Sequence, residues 1–514
     1  MYKKTIISTL SLVFYLCSTT PIFSIEQELN KKKDKRPNII IILTDDQGYG
    51  DISAHGSPDV HTPHMDRLKS QSVSLEDFHV SPTCAPSRSG IMSGCVPFKC
   101  GVTHTIWERE RMALNITTLP QVLKRADYTT GIFGKWHLGD EKEYQPENRG
   151  FDEVFIHGAG GIGQNFIGSC ADVPNNKYHD PTFKHNGTFV KTKGFCTDVL
   201  FLQALSWMKS CSDKGKPFFT YLATNAPHAP FIAPESYMKK FAEKKYPKSG
   251  QGYYGMIENI DDNLGLLMQK LDDWKLSDNT ILIYMSDNGR TTKPKSNTNK
   301  IYNAGMRGLK NTPYQGGTRV PFFMRWPKHI KAGTKVNSLF SHYDILPTLA
   351  DAVNISTKDL PLLDGESFLP YVKGKETKAI EKYRFVHVAR WNYNPEKIEG
   401  LKYKPKKFTG TIENSNPRNS KYVDCAIRNQ QYRFVNNKEL YDITKDPGEQ
   451  NNIIDKNQKV VSKMRKAYDV WWDSMLPFMI NEKETIVKEK PFVVEYNKQL
   501  KEKGIPKWEK PNLD

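Results

Sequence analysis

Four short runs of apolar, largely β-branched residues each end in a cluster of reactive polar side chains. Residues 38–44 (NIIIILT) run into Asp45-Asp46, and residues 129–133 (TTGIF) run into Gly134-Lys135-Trp136-His137. Residues 218–224 (FFTYLAT) lead to Asn225-Ala226-Pro227-His228, and residues 280–285 (TILIYM) lead to Ser286-Asp287-Asn288-Gly289. Near-continuous apolar strands require a sheet covered on both faces, which is the parallel arrangement. Helical stretches fall between them, at residues 63–73, 119–126, 198–209 and 253–274. In the last, Ile257, Ile260, Leu264, Leu267 and Leu271 keep helical spacing. Strands alternating with helices predict a doubly wound α/β domain. Ligands of such sheets bind beyond the carboxyl ends of the strands. Asp-Asp, Lys-x-His, His and Asp-Asn all stand at such ends, so one active site is expected there.

The chain begins Met1-Tyr2-Lys3-Lys4, followed by an apolar run over residues 5–17 and then small residues with Pro21 up to Ser24. A positive start and a short apolar stretch predict a signal peptide over residues 1–24. The run is too short for a spanning helix, which needs ~20 residues. Leu16 precedes Cys17 where a lipoprotein signal wants a small residue, which argues against a lipid anchor. No later stretch is apolar for long enough, so no integral membrane segment is expected. The predicted location is periplasmic or extracellular, bacterial rather than lysosomal. Lys plus Arg is 74 against 57 Asp plus Glu, a formal +17, and losing Lys3 and Lys4 with the leader leaves +15. That balance points to a polyanion: nucleic acid, an anionic membrane, or a sulfated or phosphorylated substrate. Export sets nucleic acid aside. It also permits disulfides. Beyond the leader stand Cys84, Cys95, Cys100, Cys170, Cys196, Cys211 and Cys425, an odd number that leaves at least one special or free. Cys95/Cys100 and Cys170/Cys196 are candidate local pairs, with the connectivity open.

From about Tyr383 the texture changes. A basic, loop-like stretch over residues 392–419 precedes short strand candidates at 424–427 and 431–435. Leu440-Tyr441-Asp442, the turn Asp446-Pro447-Gly448-Glu449 and a helix over residues 458–475 follow. The expected organisation is a catalytic domain over 25–382 and a smaller α+β domain over 383–514, with a four-stranded antiparallel sheet and a helix. The Lys-rich run 402–407 is read as a solvated face.

Asp45 and Asp46 are adjacent carboxylates that repel one another and favour a cation between them. Gly48 and Gly50 allow a tight turn after them. Asp287 and Asn288 add oxygen donors at another strand end. Either pair alone reads as a cap or a turn; both on one sheet read as a metal site. An all-oxygen set suits Ca²⁺ or Mg²⁺ rather than zinc.

Residues 81–90 (SPTCAPSRSG) contain the run Cys84-Ala85-Pro86-Ser87-Arg88. Here the sequence resembles the formylglycine-dependent (type I) sulfatases, arylsulfatase-like members of the alkaline-phosphatase-like superfamily. Further matches, in family order, are residues 131–139 (GIFGKWHLG), 225–230 (NAPHAP), 286–289 (SDNG), 310–321 (KNTPYQGGTRVP) and 440–449 (LYDITKDPGE). The likeness covers residues 37–452. It implies a large doubly wound mixed sheet flanked by helices, with a smaller C-terminal α+β domain. It also implies that Cys84 is oxidised to formylglycine by a formylglycine-generating or anaerobic sulfatase-maturating enzyme. By the same likeness Asp45, Asp46, Asp287, Asn288 and residue 84 would hold Ca²⁺, with Mg²⁺ second. Lys135, His228 and Lys310 would bind the sulfate. The implied activity is hydrolysis of a sulfate ester on a sulfated glycan. One departure stands out: Gln315 occupies a position where many relatives carry Glu, which leaves the local charge partner open.

The residue types suit that chemistry. A nucleophile must approach an anion, and cations aimed at the sulfate oxygens lower that barrier. A hydrated aldehyde at position 84 offers two hydroxyls. One attacks sulfur while His228 protonates the leaving alcohol. The other then gives its proton to His137, the aldehyde reforms and sulfate departs, with Arg88 steadying the nucleophile. Taken singly, Lys135 and Lys310 read as surface lysines, His137 as a core histidine beside Trp136, and His228 as a turn residue. Together, at strand ends and in family order, they read as a site. His55, His61, His64, His104, His157, Trp107, Arg109 and Gln164, with His387, Arg390 and Trp391 further on, are candidates for a sugar subsite or for plain structural roles. Two other functions fit the same residues: a phosphonate or phosphate ester hydrolase, and a non-catalytic sulfated-glycan binder if Cys84 stays a thiol. A Cys84→Ser variant, with one hydroxyl, is expected to stay sulfated after a first turnover. Mass spectrometry of the variant after incubation with substrate checks this, and full turnover would contradict the two-hydroxyl scheme.

Overall fold

The computed structural model describes residues 36–513, apart from residues 167, 293, 379–381, 391–416 and 485. The predicted leader, Trp391 and the run 402–407 lie outside the described residues. The chain from Arg36 onward forms one compact unit. No helix of the described residues is long and apolar enough to cross a membrane.

Sixteen strands occur among the described residues. In chain order they are β1 (Asn38–Thr44), β2 (Val73–Leu75), β3 (Phe78–His79), β4 (Thr129–Lys135), β5 (Glu153–His157), β6 (Thr182–His185), β7 (Thr188–Lys191) and β8 (Phe218–Ala223). They continue with β9 (Thr280–Ser286), β10 (Phe322–Arg325), β11 (Lys335–Val336), β12 (Phe340–Ser341), β13 (Arg384–His387), β14 (Cys425–Arg428), β15 (Tyr432–Val435) and β16 (Glu439–Asp442). The main sheet has ten strands in the order β11-β2-β10-β9-β1-β8-β4-β5-β6-β7. Its middle, β9-β1-β8-β4-β5, is parallel. β10 joins β9 antiparallel, and β6 joins β5 antiparallel, so the sheet is mixed.

The alternation of side chains along β1 explains why its sequence is apolar throughout. Ile39, Ile41 and Leu43 enter one core, and Ile40 and Ile42 enter the other. The first core is closed by α2 (Cys84–Ser93), α3 (Leu119–Lys124) and α7 (Ile345–Ala352). The second is closed by α1 (Pro63–Ser70), α4 (Cys196–Asp213), α5 (Glu235–Glu243) and α6 (Lys248–Asp273). Each of these buried aliphatic side chains contributes roughly 1.5–3 kcal/mol.

β13 to β16 form a separate four-stranded antiparallel sheet. Helix α8 (Gln458–Met475) covers it through Val461, Met464, Tyr468 and Trp472, against Cys425, Ile427, Phe434 and Leu440. A last helix, α9 (Pro491–Glu502), inserts Phe492 into the first core.

Two expectations need correction. The helix expected over residues 63–73 ends at Ser70, because Val73 pairs with Met324 as the start of β2. The candidate pairs Cys95/Cys100 and Cys170/Cys196 are not disulfides: all seven described cysteines are free and buried. Cys100 Sγ instead lies 3.1 Å from Ser93 Oγ, and Cys196 opens α4 inside the second core.

The small sheet is tied to the loop that bears Lys310 by a buried ionic network. Arg433 lies 3.3 Å from Glu449, both side chains fully buried. Gln315 donates its backbone N–H to Glu449 at 2.9 Å, and its side-chain oxygen accepts from Arg428 at 2.9 Å and Arg433 at 3.3 Å. Arg428 also donates to Asp77 at 2.7 Å. The partners left open by Gln315 are therefore Asp77 and Glu449, two carboxylates for two guanidinium groups, with the neutral amide bridging them. Removing one partner of a buried pair leaves an uncompensated charge, at a cost of about 3–5 kcal/mol. Glu449→Ala should lose that much in chemical denaturation, and the double change Glu449→Leu with Arg433→Met should lose far less. Equal losses, or no loss in the single variant, would contradict the pairing.

Candidate active site

β1, β4 and β9 deliver the acidic and basic groups to one end of the sheet. Asp45 and Asp46 follow β1 directly, and Asp46 turns the chain with φ +71°. Lys135 ends β4, where Gly134 has φ +106° and a Cβ would meet the Ala223 carbonyl at 2.0 Å. Only glycine lets β4 approach β8 that closely at this point. Asp287 and Asn288 follow β9, and the Asp287 N–H donates to Thr44 O at 3.0 Å. Gly289 comes next, and a Cβ there would meet the Gly316 carbonyl at 1.9 Å. That contact brings the Asp287-Asn288 turn against the loop carrying Lys310.

Three cations meet three carboxylates. Lys135 Nζ lies 2.6 Å from Asp45 Oδ2, both fully buried. Arg88, one turn along α2, donates to Asp287 Oδ2 at 2.7 Å and to the Lys135 carbonyl at 3.1 Å. Lys310 pairs with Asp46 Oδ1, which also accepts from Asn288 Nδ2 at 2.8 Å. The Asp46 N–H donates to Asp287 Oδ1 at 3.2 Å. Burial raises Asp45 to about 6, against the pull of Lys135. Burial also works to raise Asp46, but Lys310, His228 and Asn288 outweigh it and hold that carboxyl well below its usual range. Asp287 is raised by burial and by Asp45.

Two oxygens of this cluster are left over. Asp45 Oδ1 and Asn288 Oδ1 are buried with no hydrogen-bond partner. Ligand atoms of Asp45, Cys84 and Asp287 lie within 4.8 Å of one another, as do those of Asp45, Asp46 and His228. Orphaned buried oxygens beside clustered carboxylates fit a hard divalent cation, for which oxygen donors are the natural shell.

Cys84 is the first residue of the wholly buried helix α2. Burial acts to raise its thiol, yet the Lys135 and Lys310 charges prevail and the thiol lies below its ordinary value. A helix N-terminus further favours negative charge at this position. Cys84 shares a cavity of about 390 Å³ with Asp46, His137, His228 and Lys310. His137 has φ +58°, and its Nε2 meets the Thr105 carbonyl at 2.5 Å. Nε2 therefore carries the hydrogen, and Nδ1, buried without a partner, is the free acceptor. His228 uses Nδ1 toward the Ala229 carbonyl at 2.7 Å, which leaves Nε2 facing Asp46 Oδ2 at 3.9 Å. Burial lowers both imidazoles, His228 to about 4, with Asp46 opposing the shift there.

All ten residues singled out in the sequence thus fall in one cluster: five line the cavity, and Asp45, Arg88, Lys135, Asp287 and Asn288 form the ionic layer tied to it. Of the candidates for a sugar subsite, His104, Gln164 and Arg390 line the cavity. Trp107 stacks on His104 at 5.1 Å. The others have structural settings: His55 stacks on Tyr49, His64 packs on Gly265, Arg109 pairs with Glu482 at 3.1 Å, and His387 stacks on Trp472. His61 is exposed, and His157 meets the Gly158 carbonyl at 2.8 Å. Sequence reasoning missed Thr105, Phe166, Phe231, Thr292 and Asn311 on the cavity wall. Phe231 directly follows the matched run 225–230 and Asn311 lies inside the matched run 310–321, so both were reachable; Thr105 and Phe166 lie in irregular loops with no periodic signal.

Comparison with known proteins follows the same outline. A family model described as Sulfatase matches residues 37–355, and one described as N-sulphoglucosamine sulphohydrolase, C-terminal, matches residues 309–408. N-acetylgalactosamine-6-sulfatase of Canis lupus familiaris is 30% identical over 358 residues, covering 66% of each chain. The match thus spans just under two thirds of that relative. N-acetylgalactosamine-6-O-sulfatase of Bacteroides thetaiotaomicron is 29% identical over 511 residues, covering 86% of this chain and 94% of that protein. The crystal structure of Ps i-CgsB in complex with k-i-k-neocarrahexaose superposes with a TM-score of 0.72 at 26% identity, over 91% of this chain and 98% of that one. With the Sulfatase model matching well over half of its length, from the first strand of the sheet to the helix after the Lys310 loop, this chain belongs to the sulfatase family.

Proposed function

We propose that this protein hydrolyses sulfate esters on a sulfated saccharide, with Cys84 converted to formylglycine and Ca²⁺ held by Asp45, Asp46, Asp287 and Asn288. The observation that carries the reading is the placement of Cys84 at the head of a buried helix, in a cavity it shares with the Asp46–Lys310 pair, which belongs with Asp45–Lys135 and Asp287–Arg88 to one buried cluster. Relatives named N-acetylgalactosamine-6-sulfatase and N-acetylgalactosamine-6-O-sulfatase, and a structural neighbour in complex with k-i-k-neocarrahexaose, support a saccharide substrate.

Once formed at position 84, formylglycine would supply a hydrated-aldehyde nucleophile, and Ca²⁺, when bound, would supply positive charge. The remaining work belongs to this chain's own side chains. Lys310 and Lys135 present ammonium groups to the sulfate oxygens, where charge builds as the ester bond breaks. His228, held through Nδ1, offers Nε2 to the leaving oxygen, and an anion in the cavity favours its protonated form. His137, held through Nε2, offers a free Nδ1 to accept a proton near residue 84. Arg88 fixes Asp287 and the Lys135 backbone together, keeping the cations in register. Maturation by a formylglycine-generating or anaerobic sulfatase-maturating enzyme belongs to the same reading, as does export, which rests on the sequence of residues 1–24.

The matured protein should release inorganic sulfate from a sulfated saccharide and leave the matched phosphodiester intact. Lys310→Ala should lower kcat/KM by about 100-fold or more. Cleavage of the phosphodiester in preference to the sulfate would favour the phosphate-ester reading instead. The metal site has its own readout. Adding Ca²⁺ to chelator-treated protein should raise its melting temperature, because a ligand at ~100 times its dissociation constant stabilises by about 2.7 kcal/mol. Asp45→Asn with Asn288→Ala should remove that shift; a shift that persists unchanged would place the ion elsewhere.

A further inference from the structure

Phe231 is an apolar side chain in the cavity that the proposed chemistry does not use. It follows His228 by three residues, in the segment after β8, and lines the cavity together with His228, Asp46 and Lys310. Its position is fixed twice. A Cβ on Gly252 would meet the Phe231 carbonyl at 2.0 Å, so the start of α6 presses on the backbone there and only glycine admits the contact. The Phe231 ring also meets the Tyr253 ring edge to face, with centroids 5.8 Å apart and planes at 86°. Tyr253 is wholly buried, with the Arg290 guanidinium over its ring at 4.7 Å. Its hydroxyl donates to Asp51 Oδ2 at 2.6 Å and lies 3.0 Å from the Asp46 carbonyl oxygen. Contacts thus run from Asp46, in the reactive cluster, through Tyr253 to Phe231. Despite this bracing Phe231 is only partly buried, and Ile232 beside it is 41% exposed. An aromatic ring held in place and open to a cavity offers apolar contact area at low conformational cost.

We propose that Phe231 is a specificity residue: its ring stacks on the C–H face of the pyranose that carries the scissile sulfate. The inference rests on the sulfatase reading of this cavity. Lys310 and His228 Nε2 both face Asp46, so the sulfate at Lys310 and the leaving oxygen at His228 are neighbours. The sugar attached to that oxygen extends past His228, on the side where Phe231 stands. A pyranose carries its hydroxyls around the rim and leaves a patch of C–H groups on a face, which an aromatic ring covers. Because Phe231 is braced through Tyr253 to Asp46, the stacked sugar is placed in register with the reactive cluster. The substrate class is accordingly a sulfate ester on a closed sugar ring with an unobstructed face, in preference to a sulfate on an open or flexible chain.

Binding rather than turnover is the readout, so the test does not depend on maturation. Full-length Cys84→Ala protein is titrated calorimetrically with monosulfated methyl galactopyranosides and glucopyranosides, each beside the open-chain alditol sulfated at the same carbon. The two members of a pair carry the same anion and similar hydroxyls, but only the pyranoside has a ring face to stack. At least one pyranoside should bind more tightly than its alditol. Adding Phe231→Ala should weaken that pyranoside roughly 10-fold, the loss expected from uncovering one ring face, and leave the alditol unchanged. Phe231→Tyr, which keeps the aromatic face, should retain the preference. Phe231→Leu, which keeps apolar bulk without a flat face, should lose most of it and serves if the alanine variant does not fold. The inference is overturned if no pyranoside binds, if none is preferred to its alditol, or if a folded Phe231→Ala protein keeps the preference. It is equally overturned if that variant weakens both members of the pair alike, or if Phe231→Tyr loses as much as Phe231→Ala. Failure of the sulfatase reading would appear separately, as no sulfate released by the matured wild-type protein while the ring-dependent binding stands.

Discussion

Asp45, Asp46 and Asp287 are three carboxylates buried within one cluster, and each is held by a cation from a different part of the chain. Isolated charges could not remain ionised at such depth, because burial penalises the charged form heavily. The cluster is stable because the matching is complete, and the matching fixes the architecture. Lys135 must come from β4, two strands from β1 across β8. Arg88 must come from the first turns of α2, and Lys310 from a loop that follows β9. Removing any one partner strands a buried charge, so the positions of β1, β4, β9, α2 and the Lys310 loop are set by one electrostatic condition.

That condition also prepares the chemistry. Lys135 sits on a strand end, Arg88 on a buried helix and Lys310 on a loop, each held by a carboxylate before any substrate arrives. Cys84 shares the cluster's field, which is why its thiol is lowered despite full burial. The two histidines are each fixed by one ring nitrogen to a backbone carbonyl, leaving His137 Nδ1 without a hydrogen-bond partner and His228 Nε2 facing Asp46. The small antiparallel sheet extends the control outward. Through Arg428, Arg433 and Glu449 it holds the Gln315 turn, and through that turn the loop of Lys310.

Much of this was legible in the sequence because the strands that build the site are apolar on both faces. Each of the four runs that end in reactive residues became a central parallel strand, with bounds shifted by two residues or fewer. Their carboxyl ends are where Asp45, Lys135, His228 and Asp287 had to converge. The edge of the sheet was harder. β2, β10 and β11 are two to four residues long, too short for a period to emerge, and Val73 was absorbed into the preceding helix for that reason. The disulfide candidates failed because spacing along the chain says nothing of the direction of the sulfurs. Gln315 left a charge partner open that only the three-dimensional structure closes: Glu449 reaches it from 134 positions away. The cavity wall around Thr105 and Phe166 comes from irregular loops, where no spacing rule applies.

The most direct measurement is mass spectrometry of the peptide containing residue 84, taken from protein purified from its natural host. An aldehyde in place of the Cys84 thiol is the predicted result. An unaltered thiol throughout the sample would contradict the formylglycine mechanism and leave the site as a binder of sulfated saccharides.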